Sequence, residues 1–155
     1  MITVPASTEA IEPRWERSRE RSFISMTTPL RTLSERRARI LTKLSALRNL
    51  GENWDGSGSP GIDPLAFELA TTIAMRAPEE GESLLSIVPV PGGGLQYEWH
   101  AAEWSFELEI LPDRTMEYLF VVRDGATKEG TWSEDALEGL FKALSHLLAR
   151  HVPSV

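Results

Sequence analysis

Between Ser86 and Trp132 the chain repeats a pattern of period two, broken only by short turns, and this restricts the fold more than any other feature. Leu95-Gln96-Tyr97-Glu98-Trp99-His100 alternates apolar with polar residues, and Trp104, Phe106, Leu108 and Ile110 do the same around Ser105, Glu107 and Glu109. Met116 to Val122 is a third run; Ser86 to Val90 reads as a short strand before the turn Gly92-Gly93-Gly94, and Lys128 to Trp132 as a further segment after Asp124-Gly125. Successive side chains on a strand point to opposite faces, so alternation predicts a sheet with one apolar and one polar side. A parallel crossover needs about a dozen residues or more. The connections here are shorter, so an antiparallel meander of four or five strands is expected.

Helical periods flank this region. Leu30, Leu33, Ile40, Leu41, Leu44 and Leu47 recur at three- and four-residue steps with a break at Arg37, predicting an amphipathic helix from Pro29 to Leu50. Thr32 with Glu35 resembles a capping box, and Gly51 is placed to end the helix. Asp63-Pro64 reads as the cap and first residue of a second helix along Leu65, Leu69 and Ile73 that stops before Pro78. The acidic stretch Glu79 to Glu82 reads as a connector. Ser133 is expected to cap a last helix with Leu137, Leu140, Phe141, Leu144, Leu147 and Leu148 on one stripe. Two helices, the strands, then one helix give the α+β class, with the helices packed mainly on one sheet face. Residues 29–155 are expected to form this single domain, preceded by a mobile basic arm over residues 1–28, whose Ser, Thr, Glu and Arg lack a sustained apolar period.

The chain of 155 residues has no cysteine, which excludes disulfide scaffolds, thiol nucleophiles and thiolate metal sites. Met1 to Phe23 lacks the apolar stretch of an export signal, and no segment approaches the ~20 apolar residues of a membrane span. A cytoplasmic protein with no membrane partner is therefore expected. The net charge of −7 is unevenly placed: residues 1–50 hold ten Lys/Arg and five Asp/Glu, the remainder six and eighteen. Such segregation suggests a basic segment that meets a polyanion or an acidic protein surface, a second copy of the chain included.

The loop Asn53-Trp54-Asp55-Gly56-Ser57-Gly58 is the most distinctive local feature. Trp54 reads either as an aromatic anchor for a partner or as a plug in the core beside the first helix; Asp55 reads either as an acceptor for a partner's donors or as the cap of its own turn. The local, structural reading is preferred for both. Together with Pro89-x-Pro91-x-Gly93-Gly94 and with Glu98-Trp99 leading into Glu107-x-Glu109, this loop resembles a widespread group of small, uncharacterised bacterial proteins. The resemblance covers about residues 40 to 135, with Ser57 where that group carries an aromatic residue. It implies a shared architecture rather than a reaction.

Glu98, Glu107, Glu109 and Glu117 share the polar parity of neighbouring strands and are expected on one sheet face. Carboxylates gathered in this way suit a protein-binding acidic surface, an acid–base pair or a divalent cation. A solvated outer face is the simplest reading, and the missing Asp-x-Asp and His-Glu clusters argue against metal. His100, His146 and His151 lack ligand spacing, Gly56-Ser57-Gly58 is not a nucleophile elbow, and Gly92-Gly93-Gly94 lacks the helix and lysine of a phosphate loop. No catalytic set, metal or cofactor is expected.

The expected function is accordingly a non-enzymatic protein-interaction module, an accessory, inhibitor or antitoxin-like subunit of a bacterial multicomponent system. Its partner-binding residues would be Arg14, Arg17, Arg19, Arg21, Trp54, Asp55, Glu98, Glu107, Glu109 and Glu117. Two alternatives stand beside it. One is nucleic-acid binding through residues 14–43, where Arg31, Arg36, Arg37, Arg39 and Lys43 continue the basic run; the other is a carboxylate-dependent hydrolase using Glu98, Glu107 or Glu109.

Overall fold

In the computed structural model, which describes residues 33–150, the alternating runs form β1 (Leu85–Val90), β2 (Gly94–His100), β3 (Trp104–Ile110), β4 (Met116–Val122) and β5 (Thr127–Trp132). They lie side by side in chain order, each antiparallel to the next, as one five-stranded sheet. The α+β class and the antiparallel meander read from the sequence are those of the structure. The β1–β2 turn depends on Gly92 and Gly93, at φ +95° and +92°, where a side chain would be strained. Gly93 also accepts a hydrogen bond from the Asp63 amide at 2.9 Å, tying this turn to the loop before the second helix.

Register assigns each strand residue to a face. Ile87, Tyr97, Leu108, Tyr118 and Gly130 form one cross-strand row; Leu85, Trp99, Phe106, Phe120 and Lys128 form the next, and Pro89, Leu95, Ile110, Met116 and Trp132 a third. Most of these side chains enter the single hydrophobic core, with Tyr97, Trp99, Leu108, Ile110 and Met116 fully buried. Trp99 lies 5.6 Å from Tyr97 and 5.7 Å from Phe106, ring centre to ring centre.

The first helix, α1, spans Glu35–Arg48 and contributes Ile40 and Leu44 to the core. Its cap differs from the expected Thr32–Glu35 box. Ser34 accepts from the Arg37 amide at 3.1 Å and its hydroxyl also donates to Glu79, so the cap joins a local bond to a tertiary one. Leu33, expected on the apolar stripe, precedes the helix and is 51% exposed. Pro29, Leu30, Thr32 and the arm over residues 1–28 lie outside the described residues, as does His151.

The second helix, α2, spans Pro64–Arg76, with Asp63 accepting from the Leu65 and Ala66 amides. It stops before Pro78 as the sequence predicts. Its buried stripe is Ala66, Leu69, Ala70, Ile73 and Ala74, whereas Leu65 is 47% exposed. Steps of four residues drift around a helix of 3.6 residues per turn, so Leu65, Leu69 and Ile73 cannot all face the same neighbour squarely. The alanines allow close approach to the sheet, and the Tyr97 hydroxyl donates to the Ala70 carbonyl at 2.8 Å. Burial pushes the Tyr97 phenol well above its ordinary pKa, keeping it a neutral donor.

The acidic connector is itself ordered, forming a 3-10 helix over Glu79–Leu84. Gly81 is buried there, and a Cβ at this position would meet the Leu148 side chain at 2.6 Å. The last helix, α3, spans Leu137–Ala149 after a short 3-10 turn at Glu134–Ala136. Ser133 makes no side-chain cap; its carbonyl accepts from the Ala136 amide instead. The expected stripe Leu137, Leu140, Phe141, Leu144 and Leu148 is buried, with Leu147 packed partly against it.

Candidate functional site

The residues between the core rows make the opposite side of the sheet. One row runs Val88, Gln96, Glu109, Glu117 and Thr131; the next runs Ser86, Glu98, Glu107, Leu119 and Glu129. Glu98 therefore stands directly across from Glu107, and Glu109 across from Glu117. Like charges directly opposite each other on a sheet are destabilising. The sequence reading is correct in gathering Glu98, Glu107, Glu109 and Glu117 on one face, but it missed Glu129, which the β5 register adds opposite Leu119.

Glu107, Glu109, Glu117 and Glu129 line a shallow depression of about 490 Å³, together with Gln96, Leu119 and Thr131. None of these four carboxylates forms an ion pair among the described residues. Gln96 relieves part of the crowding, donating to Glu98 at 3.0 Å and to Glu107 at 3.4 Å. His100 lies 3.3 Å from Glu98 at the margin of the face. Partial burial and then the neighbouring Glu117 charge hold the Glu109 carboxyl above its usual pKa.

This direction has a consequence for stability. A carboxyl whose pKa is raised on folding favours the folded state fully while both states are protonated, and that contribution is lost as pH rises through the folded pKa. Glu109→Gln should therefore raise the unfolding free energy at neutral pH by a few tenths to about 1 kcal/mol, the range of a cross-strand pair. The gain should shrink as the pH falls through the acidic range. Urea denaturation of both proteins at neutral and acidic pH measures the difference; equal stabilities at neutral pH would show that the two carboxylates do not repel.

The Asn53 loop is a separate feature and does not line the depression. Asp55 is occupied locally: one carboxylate oxygen accepts from the Ser57 and Ser59 amides at 2.9 and 3.2 Å, the other from the Ser59 hydroxyl at 2.6 Å. The Ser59 hydroxyl and the Ser57 amide hold its pKa below the ordinary range. Asn53 takes φ +59° and its side chain accepts from the Gly58 amide, which closes the loop. Trp54 does not plug the core. It is half-buried, and its indole N–H donates to the Pro60 carbonyl at 3.0 Å.

The basic residues divide similarly. Arg14, Arg17, Arg19 and Arg21 lie outside the described residues. Arg37, Arg39 and Lys43, counted in the sequence among cations available to phosphate, are instead engaged by Glu79 and Glu82 of the 3-10 helix. The carboxylates of the open sheet face are not their partners. No family model, curated protein or solved structure matches the chain. Among the described residues no group of three or more His, Asp or Glu side chains is arranged to hold a metal ion.

Proposed function

We propose that this chain is a non-enzymatic interaction module whose open sheet face receives a basic segment of a protein partner, in the manner of an accessory, inhibitor or antitoxin-like subunit. The observation that carries the reading is the placement of Glu107, Glu109, Glu117 and Glu129 around one depression without a cation among the described residues. Several acids elsewhere are matched, Glu79 by Arg37, Glu82 by Arg39, Glu134 by Arg114 and Glu138 by Arg76. A sheet that tolerates two facing carboxylate pairs sacrifices some stability of the free protein. A lysine- or arginine-bearing partner would relieve that repulsion, and complementary fields also accelerate and select encounters.

The rows favour recognition over catalysis for a geometric reason. An acid–base mechanism needs groups converging on a reacting atom within hydrogen-bond reach. Here Glu98 faces Glu107 and Glu109 faces Glu117 at the strand spacing, but Leu119 separates Glu107 from Glu129, so the acids extend along the face as a surface suited to a basic segment.

The test is affinity purification of the full chain from cells, followed by mass spectrometry and a titration of the purified partner. A basic protein should be retained at low salt, and the variant E107Q/E109Q/E117Q should bind it at least about tenfold more weakly. A partner that binds both proteins equally, or a full chain that remains alone at low salt, would refute the proposal.

A further inference from the structure

The core side of the sheet carries a second concavity, on the face opposite the carboxylates, with Tyr118 bordering both. Phe106, Tyr118, Phe120 and Trp132 line it from the sheet, and Ala143 and Leu147 from α3, around a volume of about 350 Å³. Tyr118 and Trp132 stack with ring centres 4.4 Å apart, and Phe106 lies 6.2 Å from Trp132. The stack depends on Gly130, since a Cβ there would stand 2.8 Å from the Tyr118 ring. The apolar floor is therefore preformed. It is also incompletely covered, because Tyr118, Phe120 and Trp132 are half-buried although their parity is that of the core.

The rim is basic. Lys128, His146 and Arg150 border the groove. All three are exposed and none forms an ion pair among the described residues. Arg37, Arg39, Lys43, Arg76, Arg114 and Arg123 are each paired with a glutamate, whereas Arg36, Arg48 and Lys142, which do not line the groove, form no ion pair among the described residues either. Unmatched basic groups at the mouth of an aromatic cleft, in a chain of net charge −7, select an occupant that is apolar in its body and anionic at one end. The volume lies near the lower limit of small-molecule pockets, roughly 300 to 1,000 Å³.

We propose that this groove binds a small organic anion of the alkyl- or aryl-carboxylate class. The hydrocarbon body lies against Tyr118, Trp132 and Phe120, where removal of apolar surface from water supplies the affinity. The carboxylate meets Lys128 and Arg150, which supply orientation and preference over neutral or cationic analogues.

Octanoate, octanol and octylammonium share one tail and differ in headgroup, and serve as probes of the full chain. Binding is followed by tryptophan fluorescence and by NMR shifts of the Trp132 indole and the backbone of Lys128 and Arg150. Octanoate should saturate and move those signals, with octylammonium at least about tenfold weaker. The exposed double variant K128E/R150E should weaken octanoate by about tenfold and leave octanol unchanged. Ala143→Phe, which fills the groove from α3, should weaken octanoate and octanol together. The acidic-face variant E107Q/E109Q/E117Q should bind octanoate as the natural sequence does, which separates this site from the partner surface proposed above. Equal affinity for the three headgroups, shifts confined to another surface, or no saturable octanoate binding would each overturn the assignment.

Discussion

Trp99→Ala is expected to lower the unfolding free energy by about 3–5 kcal/mol, the range found when a large buried aromatic is truncated. Trp99 is 2% exposed and stands in a core row between Leu85 and Phe106. Its indole packs against Tyr97 and Phe106, so alanine removes both the transfer free energy of the ring and its contacts with these two neighbours. A single domain of this size has about 5–15 kcal/mol in total. The variant should show a strongly reduced urea midpoint or be unfolded at room temperature, read by far-UV circular dichroism. A midpoint within experimental error of the natural protein would mean that the β2 register places Trp99 elsewhere.

Arg37→Met comes next, with an expected loss of about 2–3 kcal/mol, since hydrogen bonds to charged groups contribute about 1.5–3 kcal/mol. The reason lies in how α2 ends. In a continuing helix the Ala74 carbonyl would accept from the amide four residues on, but that residue is Pro78 and has no N–H. The Arg37 guanidinium supplies the missing donor at 2.5 Å, donates to the Ala77 carbonyl at 3.0 Å, and pairs with Glu79 at 2.9 Å. Methionine keeps the stem and removes every donor. Arg37→Lys should recover little, because an ammonium cannot reach three separated acceptors as the planar fork does. Denaturant titration of both variants checks this; a lysine variant as stable as the natural protein would reduce the clamp to a simple charge pair.

The same clamp has a pH signature. The Ser34 hydroxyl and then Arg37 hold the Glu79 carboxyl below its ordinary pKa. A pKa lowered on folding contributes stability above the unfolded value, lost as pH falls through the folded one. Glu79 thus opposes Glu109, whose contribution runs the other way, and a pH–stability profile of the natural chain contains both.

Much of the fold was legible because its signals are local. Alternation from Leu95 to Ile110, the Gly92-Gly93 turn and the Asp63-Pro64 helix start each follow from strand pleat, positive φ or capping at that point in the chain. Helix boundaries were less legible. Ser34, not Thr32, caps α1, and Glu79 engages it from forty-five positions away, while Ser133 makes no side-chain cap on the turn leading into α3. Arg37 interrupts an apolar stripe in the sequence. That interruption was the readable sign of a polar group placed against the interior, although nothing local identifies the orphaned Ala74 carbonyl it serves.

The candidate surfaces divide in the same way. Parity alone placed Glu98, Glu107, Glu109 and Glu117 on one face, since a residue's side of a sheet is decided by its own strand. Which acids confront each other depends on register, and register is a property of paired strands. Glu129 joined them only when β5 was aligned on β4. The aromatic groove is still less local, requiring a glycine in β5 to admit a tyrosine from β4 beneath a helix some twenty-five residues further on. Periodicity and turn chemistry therefore determined the α+β meander and its acidic side, because those forces act between near neighbours in the chain. Tertiary packing alone decided which charges are neutralised, which remain unmatched and where the core stays open, because these depend on partners that sequence distance conceals.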